Sequence, residues 1–392
     1  MTSGVPGDDR KNEARRLPTT KIRPPKNQRD LTMERRRIGI LTSGGDCPGL
    51  NAVLRGAVRS AQKLGWEVVG FKDGFEGLLP PGRFVMLDRY KTAGTMPLGG
   101  TILGTTNKGH FVAKTGAGGE KAVIADGVID QTRQVLKGLR IEGLIIVGGD
   151  GSLTTAQQLY EAGIPTVGVP KTIDNDLAAT AMTFGFDSAV ACVADALDRL
   201  HTTATSHKRI MVIEVMGRHA GWIALHGGLA GGADIILIPE IPFDYDKIGE
   251  TIRRRNEDGC LSTMIVVAEG ANPKDGAILT TATTSGEFRM GGIGAMVGEQ
   301  VQARTDREVR VCVLGHLQRG GAPTTLDRIL GTRFGIHAVS MIAAGKYGHM
   351  VSYQNYVVTD VPIAEAVNKL RLVAPDGQMV QAARAVDIDF GD

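Results

Sequence analysis

From Ile38 onward, short runs of β-branched and other apolar residues alternate with longer stretches of helical periodicity. This alternation constrains the fold most, because parallel strands must be joined by crossover connections that are usually helices. It predicts an α/β fold with mainly parallel sheets. The predicted strands are Arg37–Leu41, Glu67–Phe71, Gly143–Val147, Thr166–Val169, Arg209–Val215, Asp234–Ile238, Thr263–Ala268 and Glu308–Val313. Two uneven stretches, Gly109–Ala125 and Thr281–Gly294, predict surface loops.

The composition is that of a globular enzyme with one large or two medium domains. Of 392 residues, 42% are hydrophobic and 22% charged, and the formal charge of +3 gives no argument for a nucleic acid or membrane partner. The four cysteines are too widely spaced for a zinc site or a small disulfide scaffold. No stretch approaches the roughly 18 apolar residues of a membrane span. We expect a cytoplasmic protein.

The first 36 residues mix Arg, Lys, Pro, Asn and Asp with few large apolar side chains. Such a segment buries too little apolar surface to offset its ordering entropy, so it predicts a flexible N-terminal tail. The cluster Arg35–Arg37 leaves a targeting or polyanion-binding arm as the alternative.

Glycine-rich segments follow two of the predicted strands. Ligands of open α/β sheets bind beyond the carboxyl ends of the strands. The segment Leu41–Asn51 reads LTSGGDCPGLN, and Gly148–Ser152 reads GGDGS. Small residues before a helix let backbone amides approach phosphate, although either segment could be a tight turn alone. Asp150 is placed to hold magnesium on a polyphosphate or to cap the following helix.

A third segment, Pro170–Asp176, reads PKTIDND directly after a strand. Its two carboxylates could divide the work of phosphoryl transfer, with Asp174 accepting a proton and Asp176 holding a metal. An Asx-rich turn is the structural alternative. The neighbouring glycine loops favour the catalytic interpretation.

Two further segments carry arginines at strand ends. Glu214–Gly221 places Arg218 where its donors could grip phosphate oxygens, and Arg310–Gly321 combines two arginines with His316. The second set suits a sugar phosphate, although one arginine could simply pair with a surface carboxylate. Glu240 could accept a sugar hydroxyl or lie at a solvated strand end.

In this order, the five segments resemble the 6-phosphofructokinase family, and the similarity runs from about Arg37 to at least Tyr356. The resemblance implies two Rossmann-like three-layer α/β/α domains with the active site in the cleft between them. The donor domain would comprise residues 37–185 plus about 318–370, and the fructose 6-phosphate domain 186–317 plus about 371–392. The resemblance also implies phosphoryl transfer from ATP to the sugar 1-hydroxyl with Mg²⁺, in a homo-oligomer that is usually a tetramer.

The resemblance also implies a role for each matching residue. Catalysis would fall to Asp174, Thr172, Arg218 and Lys108, and magnesium to Asp150 and Asp176. Donor phosphates would contact Gly45, Asn107, Lys108, Gly149, Asp150, Gly151, Ser152 and Lys171. Fructose 6-phosphate would contact Thr172, Ile173, Asp174, Met216, Gly217, Arg218, Glu240, His316 and Arg319, together with Arg209 and Arg310 of a neighbouring subunit.

The chain departs from the family pattern at two places. Many bacterial relatives have a phosphate-bridging arginine where this chain has Asn107 and Lys108, and a lysine offers a compact charge without the planar fork. Nucleotide-dependent relatives often place an aromatic residue against adenine where this chain has Phe75. Lys108 is expected to supply the missing charge, and Phe75 could stack on the base.

The donor signature is mixed. Gly151 favours ATP, because pyrophosphate-dependent relatives commonly have an aspartate there that would repel a nucleotide α-phosphate. Lys171 favours pyrophosphate, because its ammonium can fill the place of that phosphate. We give Gly151 more weight, since a flexible lysine can swing aside. The alternatives are a pyrophosphate-dependent enzyme, another kinase, and a catalytically silent nucleotide-sensing subunit, which the presence of both Asp174 and Asp176 disfavours.

Overall fold

A computed structural model describes residues 1, 35–106, 108–111, 122–274, 276, 280–282, 288–367 and 369–392. Residues Arg35–Asp392 form one compact unit. The predicted tail falls almost entirely outside the described residues, as do Asn107 and most of the predicted loop Gly109–Ala125. Within the described part, no helix is both long and apolar enough to cross a membrane.

The elements follow the order that the alternating pattern predicts. The strands are β1 (Arg37–Thr42), β2 (Glu67–Phe71), β3 (Phe84–Leu87), β4 (Ile141–Gly148), β5 (Thr166–Pro170), β6 (Ile210–Val215), β7 (Ile235–Leu237), β8 (Thr263–Ala268), β9 (Thr280–Ala282), β10 (Phe288–Met290), β11 (Val309–Val313), β12 (His349–Gln354) and β13 (Val357–Pro362). The helices are α1 (Leu50–Lys63), α2 (Asp126–Gly138), α3 (Asp150–Glu161), α4 (Phe186–His207), α5 (Trp222–Ala230), α6 (Tyr245–Glu257), α7 (Ile293–Gln302), α8 (Thr325–Ala343), α9 (Ile363–Ala366) and α10 (Gln378–Arg384).

The larger sheet has seven strands in the order β13-β12-β5-β4-β1-β2-β3. Its five inner strands are parallel, and the edge strands β13 and β3 pair antiparallel with their neighbours. Alternate side chains of β1 enter two different cores: Ile38 and Ile40 pack in one with α1 and α8, and Leu41 packs in the other with α3 and α9. Because successive strand side chains point to opposite faces, helices cover both faces of this sheet.

The smaller sheet has four parallel strands in the order β11-β6-β8-β7. Its central strands β6 and β8 are buried along their whole length, which explains why both are apolar apart from Glu214 in β6 and Thr263 in β8. Helices α4 and α5 pack against this sheet, and so does α7, on which α6 packs. Edge strand β11 is largely exposed.

The chain builds the larger sheet as far as β5, then the whole smaller sheet, and returns to the larger sheet with β12 and β13. All eight predicted strands are present within about two residues of their expected bounds, and both sheets are of the predicted α/β class. The predicted loop Thr281–Gly294 is wrong in part, because it contains most of the antiparallel pair β9–β10 and the first two residues of α7. The domain boundaries stay a prediction.

A buried carboxylate joins the helices of the two sheets. Asp327, in the first turn of α8, is fully buried and accepts hydrogen bonds from Ser188 N (2.9 Å) and Ser188 Oγ (2.6 Å) in the first turn of α4. Burial raises the pKa of Asp327 to about 6. The contact satisfies amide groups that helix α4 leaves unpaired at its start.

Candidate active site

Asp174 lies just beyond the carboxyl end of the buried strand β5 and is only 2% exposed. Its Oδ2 accepts a hydrogen bond from Thr172 Oγ1 (3.3 Å) and is 3.7 Å from Arg218 Nε. Its Oδ1 is buried and has no hydrogen-bond partner among the described residues. An unsatisfied buried oxygen costs folding free energy, so a carboxylate kept this way fits a proton acceptor whose partner is a ligand.

The backbone around Asp174 is held in an unusual conformation. Asn175 has φ of 52°, in the left-handed region that side chains other than glycine rarely adopt. Its Oδ1 accepts from Thr183 N at 3.1 Å, and Thr183 Oγ1 donates to Thr172 O at 2.8 Å. Such conformations persist only where surrounding contacts enforce them, and they cluster at functional sites.

Three carboxylates act on one another here. Burial raises the pKa of Asp176, and the charge of Asp174 and, more weakly, that of Asp150 add to the effect. Asp150 opens helix α3, where acidic side chains are favoured by the helix dipole. Among the described residues no group of three or more acidic, His or Cys side chains forms a metal cage. Mg²⁺ is usually bound by one or two carboxylates plus substrate phosphates, so Asp150 and Asp176 fit this metal.

The two predicted glycine loops lie beside each other. Ser152 Oγ donates to Ser43 Oγ at 3.0 Å, which joins the start of α3 to the segment after β1. A Cβ atom on Gly44 would lie 3.5 Å from both Ser152 Oγ and Lys171 Nζ. A Cβ atom on Gly151 would meet nothing within 4 Å, so open space adjoins the first turn of α3. Exposed helix amides and small residues make this a phosphate-binding geometry.

Lys171 lies between these loops. Its side chain is almost fully buried, and its Nζ donates to Gly45 O. Burial lowers the pKa of Lys171 to about 8. The buried thiol of Cys47 is a near neighbour, and burial raises the pKa of Cys47 to about 12, so this thiol is neutral at physiological pH. Lys171 is therefore a buried cation, and the Asp174 carboxylate of the same loop offsets only part of the effect of burial on its pKa.

Arg218 belongs to a loop after β6 that neighbouring side chains hold through its backbone. Glu269 Oε1 accepts from Gly217 N (3.3 Å) and Arg218 N (3.0 Å), and Gln318 Oε1 accepts from Met216 N (3.3 Å). The Arg218 backbone is left-handed, with φ of 54°. The Asp174 carboxylate raises the pKa of Arg218, so the guanidinium stays charged.

Glu269 and Gln318 were not predicted as site residues. Glu269 immediately follows β8, so its position after a strand end was a usable signal. Gln318 had none, because its contact with Met216 joins residues that are far apart in sequence.

Of the remaining sugar-site candidates, Glu240 and Arg319 bind backbone groups and His316 is exposed. Glu240 Oε1 accepts from Gly221 N (3.0 Å) and Val373 N (2.9 Å), and burial raises its pKa. His316 is exposed in the 3-10 helix Gly315–Arg319. Arg319 Nη1 donates to Asp46 O at 3.3 Å, which places this guanidinium on the first glycine loop. The sugar-binding roles of these residues stay predictions.

Arg209 and Arg310 lie at the opposite end of the smaller sheet. Both pair with the carboxylate of Glu308, at the amino ends of β6 and β11. Strand β6 has six residues and so spans ~20 Å between Arg209 and Met216. These two arginines therefore do not reach Asp174 in the same chain.

Thr106 and Lys108 lie close to the first glycine loop. Gly44 N donates to Thr106 O at 3.1 Å, and Lys108, which is exposed, follows Thr106 by two residues. Phe75 is buried, and its ring stacks on Phe111 with 5.3 Å between centroids. Phe111 therefore covers one face of the Phe75 ring, and stacking of Phe75 on a nucleobase stays a prediction.

Comparisons with known proteins agree with this geometry. The family model "Phosphofructokinase" matches residues 37–342. An ATP-dependent 6-phosphofructokinase of Chloroflexus aurantiacus is 51% identical over 362 residues, which are 92% of this chain and 99% of the relative. A pyrophosphate–fructose 6-phosphate 1-phosphotransferase of Amycolatopsis methanolica is 48% identical over 345 residues, which are 87% of this chain and 97% of that protein.

Solved structures share the fold. Pichia pastoris phosphofructokinase in the T-state matches with a TM-score of 0.72 and 30% identity, over 91% of this chain and 37% of that one. A pyrophosphate-dependent phosphofructokinase of Nitrosospira multiformis matches with a TM-score of 0.75 and 21% identity, over 92% of this chain and 93% of that one. The chain belongs to the phosphofructokinase family.

Proposed function

We propose that this member of the phosphofructokinase family is an ATP-dependent 6-phosphofructokinase. It transfers the γ-phosphoryl group of ATP to the 1-hydroxyl of D-fructose 6-phosphate and gives fructose 1,6-bisphosphate and ADP, a step of glycolysis. One observation carries the proposal: Asp174 is buried, has one oxygen without a hydrogen-bond partner among the described residues, and lies 3.7 Å from Arg218 beside two glycine loops.

Asp174 accepts the proton of the attacking hydroxyl. As the new oxygen–phosphorus bond forms, the bond between the γ-phosphorus and the β,γ-bridging oxygen breaks, and the electron pair leaves with ADP. The hydroxyl proton passes to the Asp174 carboxylate, for which the unpartnered Oδ1 is available. Such assistance typically contributes about 10²- to 10⁴-fold to the rate. Thr172 Oγ1 fixes the orientation of the carboxylate, and Arg218 stabilises negative charge on the transferred group.

The glycine loops bind the donor. Amides at the start of α3, in the segment Gly149–Ser152, point toward the phosphates and gain from the helix dipole. Lys171 and Lys108 supply positive charge. Asp150 and Asp176 would hold Mg²⁺, which neutralises charge on the phosphate oxygens when it is bound.

Pyrophosphate is the second candidate donor. The specific observation in its favour is the position of Lys171, whose Nζ lies between the glycine loops in hydrogen-bond contact with Gly45 O. A cation there could bind the end of pyrophosphate. We favour ATP because position 151 is a glycine rather than an aspartate, and the described residues leave the space beside it open for a nucleotide α-phosphate.

The sugar phosphate is bound between subunits in this proposal. Arg209 and Arg310 pair with Glu308 and do not reach Asp174 of their own chain, so they would complete the site of a neighbour in a homo-oligomer, for which we propose a tetramer. We also propose that the enzyme works in the cytoplasm.

The test uses the purified full chain with fructose 6-phosphate and saturating Mg²⁺, supplied with ATP or with pyrophosphate. We expect a higher kcat/KM with ATP, measured as fructose 1,6-bisphosphate formed. Faster turnover with pyrophosphate would reverse the choice of donor. No product with either donor would reject the proposed activity itself.

Gly151→Asp sharpens the choice of donor, with Gly151→Ala as its matched control. A methyl group at position 151 meets nothing within 4 Å, so the alanine variant is expected to fold and to keep its ATP activity. The aspartate adds a charge beside the expected α-phosphate and should depress kcat/KM for ATP far more than for pyrophosphate. An equal loss with both donors would contradict the assignment of this space to the nucleotide.

A further inference from the structure

Residues Leu370–Val373, here called the bridging segment, run from the catalytic loop to the predicted sugar site. At one end Leu370 pairs with Leu177 as an isolated antiparallel bridge, three residues after Asp174. At the other end Val373 N donates to Glu240 Oε1 at 2.9 Å. No sequence motif marked this segment.

Arg371 of the bridging segment binds the catalytic loop twice. Its backbone N–H donates to Asp176 O at 2.8 Å, and its Nη1 donates to Asn175 O at 3.2 Å. Both acceptors are peptide oxygens of residues directly after Asp174. Asn175 has the left-handed backbone described above, a conformation that needs outside contacts to persist.

The same residue also binds the element that carries the sugar side. The Arg371 guanidinium lies over the ring of Trp222, 4.3 Å from its centroid, and Trp222 Nε1 donates to Arg371 O at 2.8 Å. Trp222 is the first residue of α5, and the preceding Gly221 N donates to Glu240. A planar guanidinium can stack on an aromatic ring and donate hydrogen bonds in its own plane at the same time.

We infer that Arg371 is a positioning residue that sets the Asp174–Asp176 loop against the sugar side of the active site. It touches no reacting atom and acts through the peptide groups of Asn175 and Asp176. Displacement of a catalytic group by about 1 Å can cost about 100-fold in rate, so a contact of this kind can control turnover. The inference rests on the proposed function.

The bridging segment makes little apolar contribution to the fold. Leu370 is 41% exposed and Leu372 48% exposed, and only Val373 is buried. Removing the Arg371 side chain should therefore affect catalysis more than stability. Arg384 offers a matched control, because it is also C-terminal and stacks on an aromatic ring, Phe390 at 4.8 Å, in a contact that involves none of the site residues.

The experiment compares Arg371→Ala, Arg371→Lys, Trp222→Phe and Arg384→Ala with the wild-type enzyme. For Arg371→Ala we expect kcat to fall about 10- to 100-fold, while KM for ATP stays within about twofold of wild type. Arg371→Lys should recover part of kcat, since it restores the charge without the planar fork. Trp222→Phe keeps an aromatic ring at this position but loses the hydrogen bond to Arg371 O, so kcat should fall about 2- to 10-fold. Arg384→Ala should match wild type.

Thermal unfolding of each variant separates positioning from structure. We expect the Tm of the Arg371 variants to stay within about 3 °C of wild type. If Arg371→Ala keeps kcat within twofold of wild type, or if kcat falls only as far as the folded fraction falls, the inference is overturned. Should Arg371→Ala fail to fold, Arg371→Lys and Trp222→Phe decide by the same criteria. A wild-type enzyme without turnover would instead overturn the proposed function, and the inference with it.

Discussion

The two ends of strand β6 differ in how their charged side chains are buried and paired. At the carboxyl end Arg218 faces Asp174, whose carboxylate is buried and keeps one oxygen without a hydrogen-bond partner among the described residues. At the amino end Arg209 and Arg310 share the partly exposed carboxylate of Glu308. Unsatisfied buried groups cost stability, whereas exposed ion pairs cost and contribute little.

This difference indicates how each end is used. The buried Asp174 carboxylate lies close to a guanidinium, so the carboxyl end is where we expect the chemistry of this chain. The exposed ion pairs of Arg209 and Arg310 cost little folding free energy, and they lie ~20 Å from the carboxyl end of β6. The proposed role of the two arginines is at the sugar phosphate of a neighbouring protomer.

The largest expected effect on turnover is at the carboxyl end of β6, where Asp174 lies close to Arg218. Asp174→Ala should lower kcat by about 10²- to 10⁴-fold and leave binding of fructose 6-phosphate largely intact, because the lost group is a proton acceptor. Rate measurements and calorimetric titration with the sugar phosphate check both parts. Asp195→Ala on the exposed face of α4 is the control. Near-normal turnover of the purified Asp174 variant would refute the assignment.

A second effect concerns Lys171, the buried cation that follows strand β5. The pKa of Lys171 is lowered from 10.5 to about 8 in the folded protein. Between these values the unfolded chain binds more protons than the folded one, so stability rises with pH. From pH 8 to pH 10.5 the free energy of unfolding of wild type should rise relative to Lys171→Met by at most about 3 kcal/mol. Urea unfolding at both pH values tests this, and parallel behaviour of the two proteins would contradict a buried charged amine.

At the amino end, Arg310→Ala should act on the sugar phosphate alone. A charge-assisted hydrogen bond contributes about 1.5–3 kcal/mol, so KM for fructose 6-phosphate should rise about 10- to 100-fold. The KM for ATP should change much less. Steady-state kinetics with each substrate varied in turn would show this. A change confined to KM for ATP would contradict the assignment of Arg310 to the sugar phosphate.

The smallest effect is expected from the carboxylate that holds the arginines. Glu308→Gln removes its charge, and exposed ion pairs contribute about 0–1 kcal/mol, so the free energy of unfolding should change by less than about 1 kcal/mol. A loss of several kcal/mol in urea unfolding would mean that the Glu308 cluster is structural. The contrast between the two ends would then fail.

The sequence predicted the buried parts of the fold best. The central strands β6 and β8 are apolar apart from Glu214 and Thr263, as a buried strand or helix would be, and glycine-rich ends marked where they stop. Strands β3, β12 and β13 were missed. Strands β3 and β13 are edge strands with partly exposed residues and no clear alternation, and β12 is an inner strand of which only the three residues Met350–Ser352 are buried. The short pair β9–β10 was taken for a loop because each strand has only three residues.

The residues of the candidate site that lie in loops after strands could be predicted from the sequence. Asp174, Asp150 and Arg218 each follow a strand, and a motif of a few residues was enough to find them. The supports of these loops could not be found in the same way. Glu269 and Arg371 hold backbone groups that are about 50 to 200 residues away, and such contacts leave no local pattern.

The most direct test of the contrast is a mixing experiment with two defective variants. Asp174→Ala lacks the proton acceptor, and Arg310→Ala lacks the arginine that a neighbour would use. In a hybrid oligomer, one site has an intact Asp174 from one protomer and an intact Arg310 from the other. After the two are unfolded and refolded together in equal amounts, activity at low fructose 6-phosphate should return to about a quarter of wild type, since half of the pairs are hybrids and half of their sites are intact. Activity no higher than the average of the two variants refolded separately would contradict a sugar site shared between subunits.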